Sequence, residues 1–151
     1  MLLAYRLPRE PSTPRIAVWR KLRRLGGAQL LDGLVALPLD SRNREQLEWL
    51  AGEIIEAHGQ ATLWVGELAS RAQERELVAR MATTVASEYA ALIADAEHAL
   101  EQAPGSRRRS LARLRRELRR IRGRDYFPPP ERERAQRAID ALAQVVEEVV
   151  P

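Results

Sequence analysis

Beyond Leu68 this chain offers no place for a β-strand. Leu77, Met81, Val85, Tyr89, Leu92, Ala96 and Leu100 recur at threes and fours as far as Pro104-Gly105. That spacing lines one side of an α-helix and lacks the alternation of a half-buried strand. Any sheet must therefore be built from residues 1–67, with residues 68–151 left as a helical segment.

Within those first residues, short apolar runs alternate with breakers. Leu2-Leu3-Ala4-Tyr5-Arg6-Leu7 reads as a buried strand ended by Pro8, and Pro8, Pro11 and Pro14 keep the following loop from propagating a helix. Thr13 is placed to cap a helix with Pro14 at its first position. Ile16, Val18, Trp19, Leu22 and Leu25 form its apolar stripe, and Gly26-Gly27 stop it. Trp19 falls on that stripe and is expected in the core. Residues 28–32 and 34–39 flank Asp32-Gly33, a dipeptide suited to positive φ, and predict a hairpin. Asp40 or Ser41 opens a second helix with Leu47, Leu50, Ala51, Ile54 and Ile55 inward, and Ala61-Thr62-Leu63-Trp64-Val65 reads as the last strand. The order β-α-β-β-α-β is that of a ferredoxin-like unit, so the expected fold class is α+β. Strands this apolar predict a second covered face, supplied by the rest of the chain or by a second copy in a homodimer.

The helical segment divides into about three helices. The first is the long one. Ser106 is expected to cap the next, 106–122, whose stripe is Leu111, Leu114, Leu118 and Ile121. Arg107, Arg108, Arg109, Arg113, Arg115, Arg116, Arg119, Arg120 and Arg122 occupy its remaining surface. After Asp125-Tyr126-Phe127 and three prolines, Ala135, Ala138, Ile139, Leu142, Val146 and Val149 mark a third helix.

Charge follows the same division. The formal net charge is only +4, yet residues 1–27 carry seven basic groups and one acidic, and residues 105–125 carry ten and two. Between them, residues 28–104 carry five basic groups against thirteen acidic. Two concentrated basic segments are the electrostatic footprint of a nucleic-acid binder. The candidate phosphate contacts are the nine arginines of 106–122 together with Arg20, Lys21, Arg23 and Arg24; Arg15 lies beside the second group. The competing reading has Glu74, Glu76, Glu88, Asp95, Glu97 and Glu101 neutralise the arginines internally.

Several chemistries are excluded. The chain has no cysteine and two distant histidines, His58 and His98, so no metal site is expected. There is no Gly-rich phosphate loop, nucleophile elbow or Ser/His/Asp constellation, which argues against an enzyme and against a bound cofactor. No apolar run reaches membrane-spanning length, and the start reaches Arg6 without a secretory hydrophobic stretch, so a cytoplasmic protein is expected.

Leu2 to Ser12 followed by Val18-Trp19-Arg20-Lys21-Leu22-Arg23-Arg24-Leu25-Gly26 resembles the N-terminal domain of ChrB chromate-resistance proteins. So do Leu31 to Pro38, Glu48-Trp49-Leu50 and Ile121-Arg122-Gly123-Arg124-Asp125-Tyr126-Phe127. The resemblance implies a transcription-regulating module linked to a chromate-efflux operon, and a partner of the family's C-terminal type outside these residues. The first half is also similar to the middle domain of PaaX-type repressors and to the related nuclease subunit of CRISPR adaptation, which place an aspartate after the tyrosine of the first strand. Here Arg6 follows Tyr5, a cation where Mg²⁺ would need a carboxylate oxygen. A tetrahedral oxyanion such as chromate suits clustered guanidiniums, though nothing in their spacing selects it over sulfate or phosphate. Three functions are thus open: DNA contact, a protein–protein adaptor, and an oxyanion-sensing module.

Overall fold

The structure, a computed structural model, describes residues 1–148. Its elements are β1 (Leu2–Arg6), α1 (Thr13–Leu25), β2 (Ala28–Leu31), β3 (Leu34–Ala36), α2 (Ser41–Glu56), β4 (Gln60–Trp64), α3 (Arg71–Leu100), α4 (Pro104–Arg122) and α5 (Glu131–Glu148). They fall into two compact units that part between Leu77 and Val78, within α3 and not at its start.

The first unit is a four-stranded antiparallel sheet in the order β2-β3-β1-β4, with helices α1 and α2. Leu3 lies opposite Val35 on one side and Leu63 on the other, so the three share a face. Leu3 and Val35 are buried, together with Val18 and Leu22 of α1 and Leu47, Leu50 and Ile54 of α2. The other parity carries Leu2, Ala36 and Trp64, of which Trp64 is largely exposed. The third strand is shorter than its apolar run: it ends at Ala36, and Pro38, which has no N–H to donate, turns the chain into α2. Asp40 caps α2 by accepting from the Asn43 N–H at 2.7 Å, while the buried Asn43 amide donates to the Pro38 carbonyl at 3.1 Å. At α1 the cap position is Ser12, which makes no side-chain cap bond, so Thr13 is already helical.

Two apolar residues of α1 do not follow the core. Ile16 and Trp19 are nearly half exposed, at 46 % and 45 %, and only Val18 and Leu22 are buried. The expectation that Trp19 is a core residue is therefore overturned. Thirteen residues of helix offer one narrow stripe to a small sheet, and Val18 with Leu22 fills it.

The turn between β2 and β3 is pressed against β1. The Tyr5 N–H donates to the Gly33 carbonyl at 2.7 Å, and Gly33 has φ +75. A Cβ at this position would lie 2.2 Å from the Tyr5 carbonyl oxygen, so both the dihedral and the space demand glycine.

The second unit contains α4, α5 and most of α3. Val85, Tyr89, Leu92, Ala96 and Ala99 of α3, Leu111, Leu114, Leu118 and Ile121 of α4, and Ala135, Ile139, Leu142 and Ala143 of α5 form one buried cluster. The stripe of α4 is the one its spacing predicts; on α3 the inward residue of the last turn is Ala99, with Leu100 exposed. Val149 lies outside the described residues. Helix α4 begins at Pro104 with Ala103 as its cap, so Ser106 does not cap it. Proline needs no N–H at the first helical position and presets φ, and it opens α4 two residues earlier than the serine would.

Helix α3 also corrects the membrane reading. At 30 residues it is long and apolar enough to span a membrane by length and composition, because only scattered charges such as Arg80 and Glu88 interrupt its middle. Its buried side chains nonetheless belong to the cluster with α4 and α5.

A polar pair is built into this cluster. The Tyr89 hydroxyl donates to Asp125 Oδ2 at 2.8 Å, the Asp125 side chain has no exposure, and Arg132 stands 3.5 Å from the same oxygen. Burial, then the bond to Asp125, push the Tyr89 phenol well above its usual range. The unfolded phenol ionises near 10.0 while the folded one stays protonated, so this contribution is complete below that pH and declines as pH rises beyond it. Tyr89→Phe removes the hydrogen bond to the buried carboxylate, leaving it Arg132, and should cost about 1–3 kcal/mol in urea unfolding at neutral pH, and the variant should lose less stability than the parent between neutral and strongly alkaline pH. Gly33→Ala should cost about 2 kcal/mol or more by the same measurement.

Candidate functional site

The arginines of α4 sort by what each touches. The Arg107 guanidinium turns back to the end of α3, donating to the Leu100 carbonyl at 2.9 Å and the Gln102 carbonyl at 3.0 Å, and so satisfies carbonyls that a helix end leaves open. Arg113 pairs with Asp95 at 2.9 Å, Arg120 with Glu117 of its own helix at 3.0 Å, and Arg122 donates to the Gln136 amide oxygen of α5 at 2.8 Å. Beyond the helix, Arg124 holds Glu88 with both Nε and an Nη, at 3.1 and 2.7 Å. These five are engaged in holding the second unit.

Arg108, Arg109, Arg115, Arg116 and Arg119 are different. All are exposed, and none has a carboxylate partner among the described residues; Arg109 donates only to Ser106 Oγ at 3.2 Å. The buried stripe of α4 leaves them on its exposed surface, from the flank beside α5 round to the outer side, where they spread over roughly 16 Å of helix axis. Arg108 and Arg115 also border a groove of about 390 Å³ against Val146 and Glu147 of α5. The alternative of wholesale neutralisation by α3 is thus realised at one arginine of α4: of the acidic residues named from sequence, Asp95 takes Arg113 and Glu88 takes Arg124, which lies past the helix.

The basic residues of α1 are also divided. Lys21 is paired with Glu53 of α2, and the Arg23 guanidinium lies 4.9 Å from the centre of the Trp19 ring, a cation–π contact. Arg24 is exposed. Arg20 lines a cavity of about 670 Å³ where the end of β1, the first half of α1 and the β2–β3 turn meet. Arg6, Arg9 and Arg15 line it too, with Tyr5, Trp19 and Asp32. Burial pushes the Tyr5 phenol up, and the Asp32 carboxylate adds to the rise.

Arg6 and Arg9 did not stand out in sequence as members of a site. Arg6 is legible there only as the residue replacing a metal-binding aspartate, and Arg9 sits in a proline-rich loop. The bond from Tyr5 to Gly33, between residues far apart in the chain, folds the turn onto β1 and so brings Asp32 to the same cavity as Arg6. Among the described residues no three His, Asp or Glu side chains gather as a metal site would need.

The sequence model of a family described as "Protein ChrB, N-terminal" matches residues 15–104, more than half of the chain. The match takes in Arg15, Trp19, Arg20 and Asp32 of the cavity and stops where α4 begins. No curated protein and no solved structure matches.

The sorting of arginines predicts unequal stability effects. Asp95 and Arg113 are each more than half exposed, so Arg113→Ala should change unfolding free energy by less than about 1 kcal/mol. Arg124, with a side chain 12 % exposed and both of its bonds on Glu88, should cost about 2 kcal/mol when changed to alanine, measured in the same urea titration.

Proposed function

We propose, for a chain that belongs to the ChrB N-terminal family, a family related to chromate resistance, that it is a regulatory module which contacts DNA through the arginines of α4. The observation that carries this reading is the set of five exposed guanidiniums, Arg108, Arg109, Arg115, Arg116 and Arg119, without carboxylate partners among the described residues, on a helix whose apolar stripe is buried. A guanidinium placed on a phosphate releases a condensed counterion and donates in a fork that matches two phosphate oxygens. The helix presents them on a convex ridge, the shape that lies along a duplex groove or backbone.

We read the first unit as ferredoxin-like. The order β1-α1-β2-β3-α2-β4 and the all-antiparallel strand order β2-β3-β1-β4 support that reading.

Fluorescence anisotropy of the duplex upstream of the chain's own gene, titrated at several salt concentrations, tests the proposal. Five phosphate contacts give a log–log salt slope of about −4.5. Changing Arg115, Arg116 and Arg119 to glutamate should weaken binding and flatten the slope by about 3, with helicity by circular dichroism unchanged. Absence of binding at low salt would overturn DNA contact in favour of an adaptor, and an unchanged affinity in the triple variant would overturn the role of α4.

A further inference from the structure

We propose that the first unit carries a binding site for a nucleotide-class organic phosphate, in the cavity bounded by the end of β1, the first half of α1 and the β2–β3 turn. Arg6, Arg9, Arg15 and Arg20 line it against one carboxylate, Asp32. Arg6, Arg9 and Arg20 have no carboxylate partner among the described residues, and Arg15 donates only to the Arg9 carbonyl, at 3.3 Å. Like charges gathered in one recess repel until an anion enters, so the arrangement favours a multiply charged ligand.

Size and lining argue for an organic body beyond the charge. The cavity, at about 670 Å³, falls in the range of small-molecule sites and is several times larger than a bare tetrahedral oxyanion requires. Leu7, Ile16 and Trp19 supply apolar wall. A half-exposed indole beside guanidiniums is the pairing that receives a planar base and its phosphate together.

The walls are held before any ligand arrives. Gly33 fixes the turn to Tyr5, the bond from Arg15 to Arg9 ties α1 to the loop before it, and Lys21 with Glu53 joins α1 to α2. A preformed recess loses less free energy to ordering when it binds.

Calorimetric titration of the full chain with ADP and, separately, with inorganic phosphate tests the site. ADP should bind saturably and at least about tenfold more tightly than phosphate. Replacing Arg6, Arg9 and Arg20 together by alanine should weaken ADP by at least about tenfold with unchanged circular dichroism. Trp19→Leu should weaken ADP by about tenfold and leave phosphate unaffected, which a purely structural role of the ring would not produce. The glutamate variant at Arg115, Arg116 and Arg119 should bind ADP as the parent does, so this site and the DNA reading fail separately. No saturation by ADP, equal affinity for ADP and phosphate, or loss of ADP binding only in the α4 variant would overturn the proposal.

Discussion

The burial of Leu111, Leu114, Leu118 and Ile121 is the constraint from which the rest of the second unit follows. Four large apolar side chains at threes and fours, each removed from water against α3 and α5, fix the rotation of α4 about its axis. Burial of such residues is worth about 1.5–3 kcal/mol apiece, more than any exposed ion pair could return by turning the helix over. Nine arginines share that helix, and with its rotation fixed they have only its flanks and its outer side. On the flanks they become structural: Arg107 closes the end of α3, Arg113 meets Asp95, and Arg122 reaches Gln136. From the flank beside α5 round to the outer side, Arg108, Arg109, Arg115, Arg116 and Arg119 meet solvent without a carboxylate partner among the described residues.

The chain thus presents cations in two shapes. On α4 they form an exposed ridge, the shape on which the proposed DNA contact rests. At the end of β1 they line a recess beside Trp19, on which the proposed organic-phosphate site rests. The ridge is set by helical periodicity alone. The recess depends on a turn: without the positive φ of Gly33 and the close approach of its carbonyl to Tyr5, Asp32 and Arg6 would not border the same cavity.

That difference accounts for what could be read in the sequence. Helical periodicity is local, so the inward stripe of α4 and most of that of α3 were legible residue by residue, as was the hairpin around Asp32-Gly33. Where local signals compete, periodicity alone does not decide the outcome. Pro104 outcompetes Ser106 as the start of α4 because it favours the first helical position, and Trp19 lies on an apolar stripe that a short helix buries only in part. Side-chain pairing was not legible: the acidic run of α3 looks able to neutralise α4 by composition, yet it takes Arg113 alone on that helix. The cavity was least visible, since its residues come from a strand end, a proline-rich loop, a helix and a turn. The family match covers residues 15–104, so the outer arginines of α4 stand on the structure and on charge, not on that match.

Arginine-selective labelling of the full chain with and without its upstream duplex, read by peptide mass spectrometry, addresses the division of α4 most directly. If the outer arginines are the DNA contact, the duplex slows modification at Arg108, Arg109, Arg115, Arg116 and Arg119 and leaves Arg113, Arg122 and Arg124 at their unbound rates. Equal labelling at all positions, at a DNA concentration that saturates binding, would contradict it.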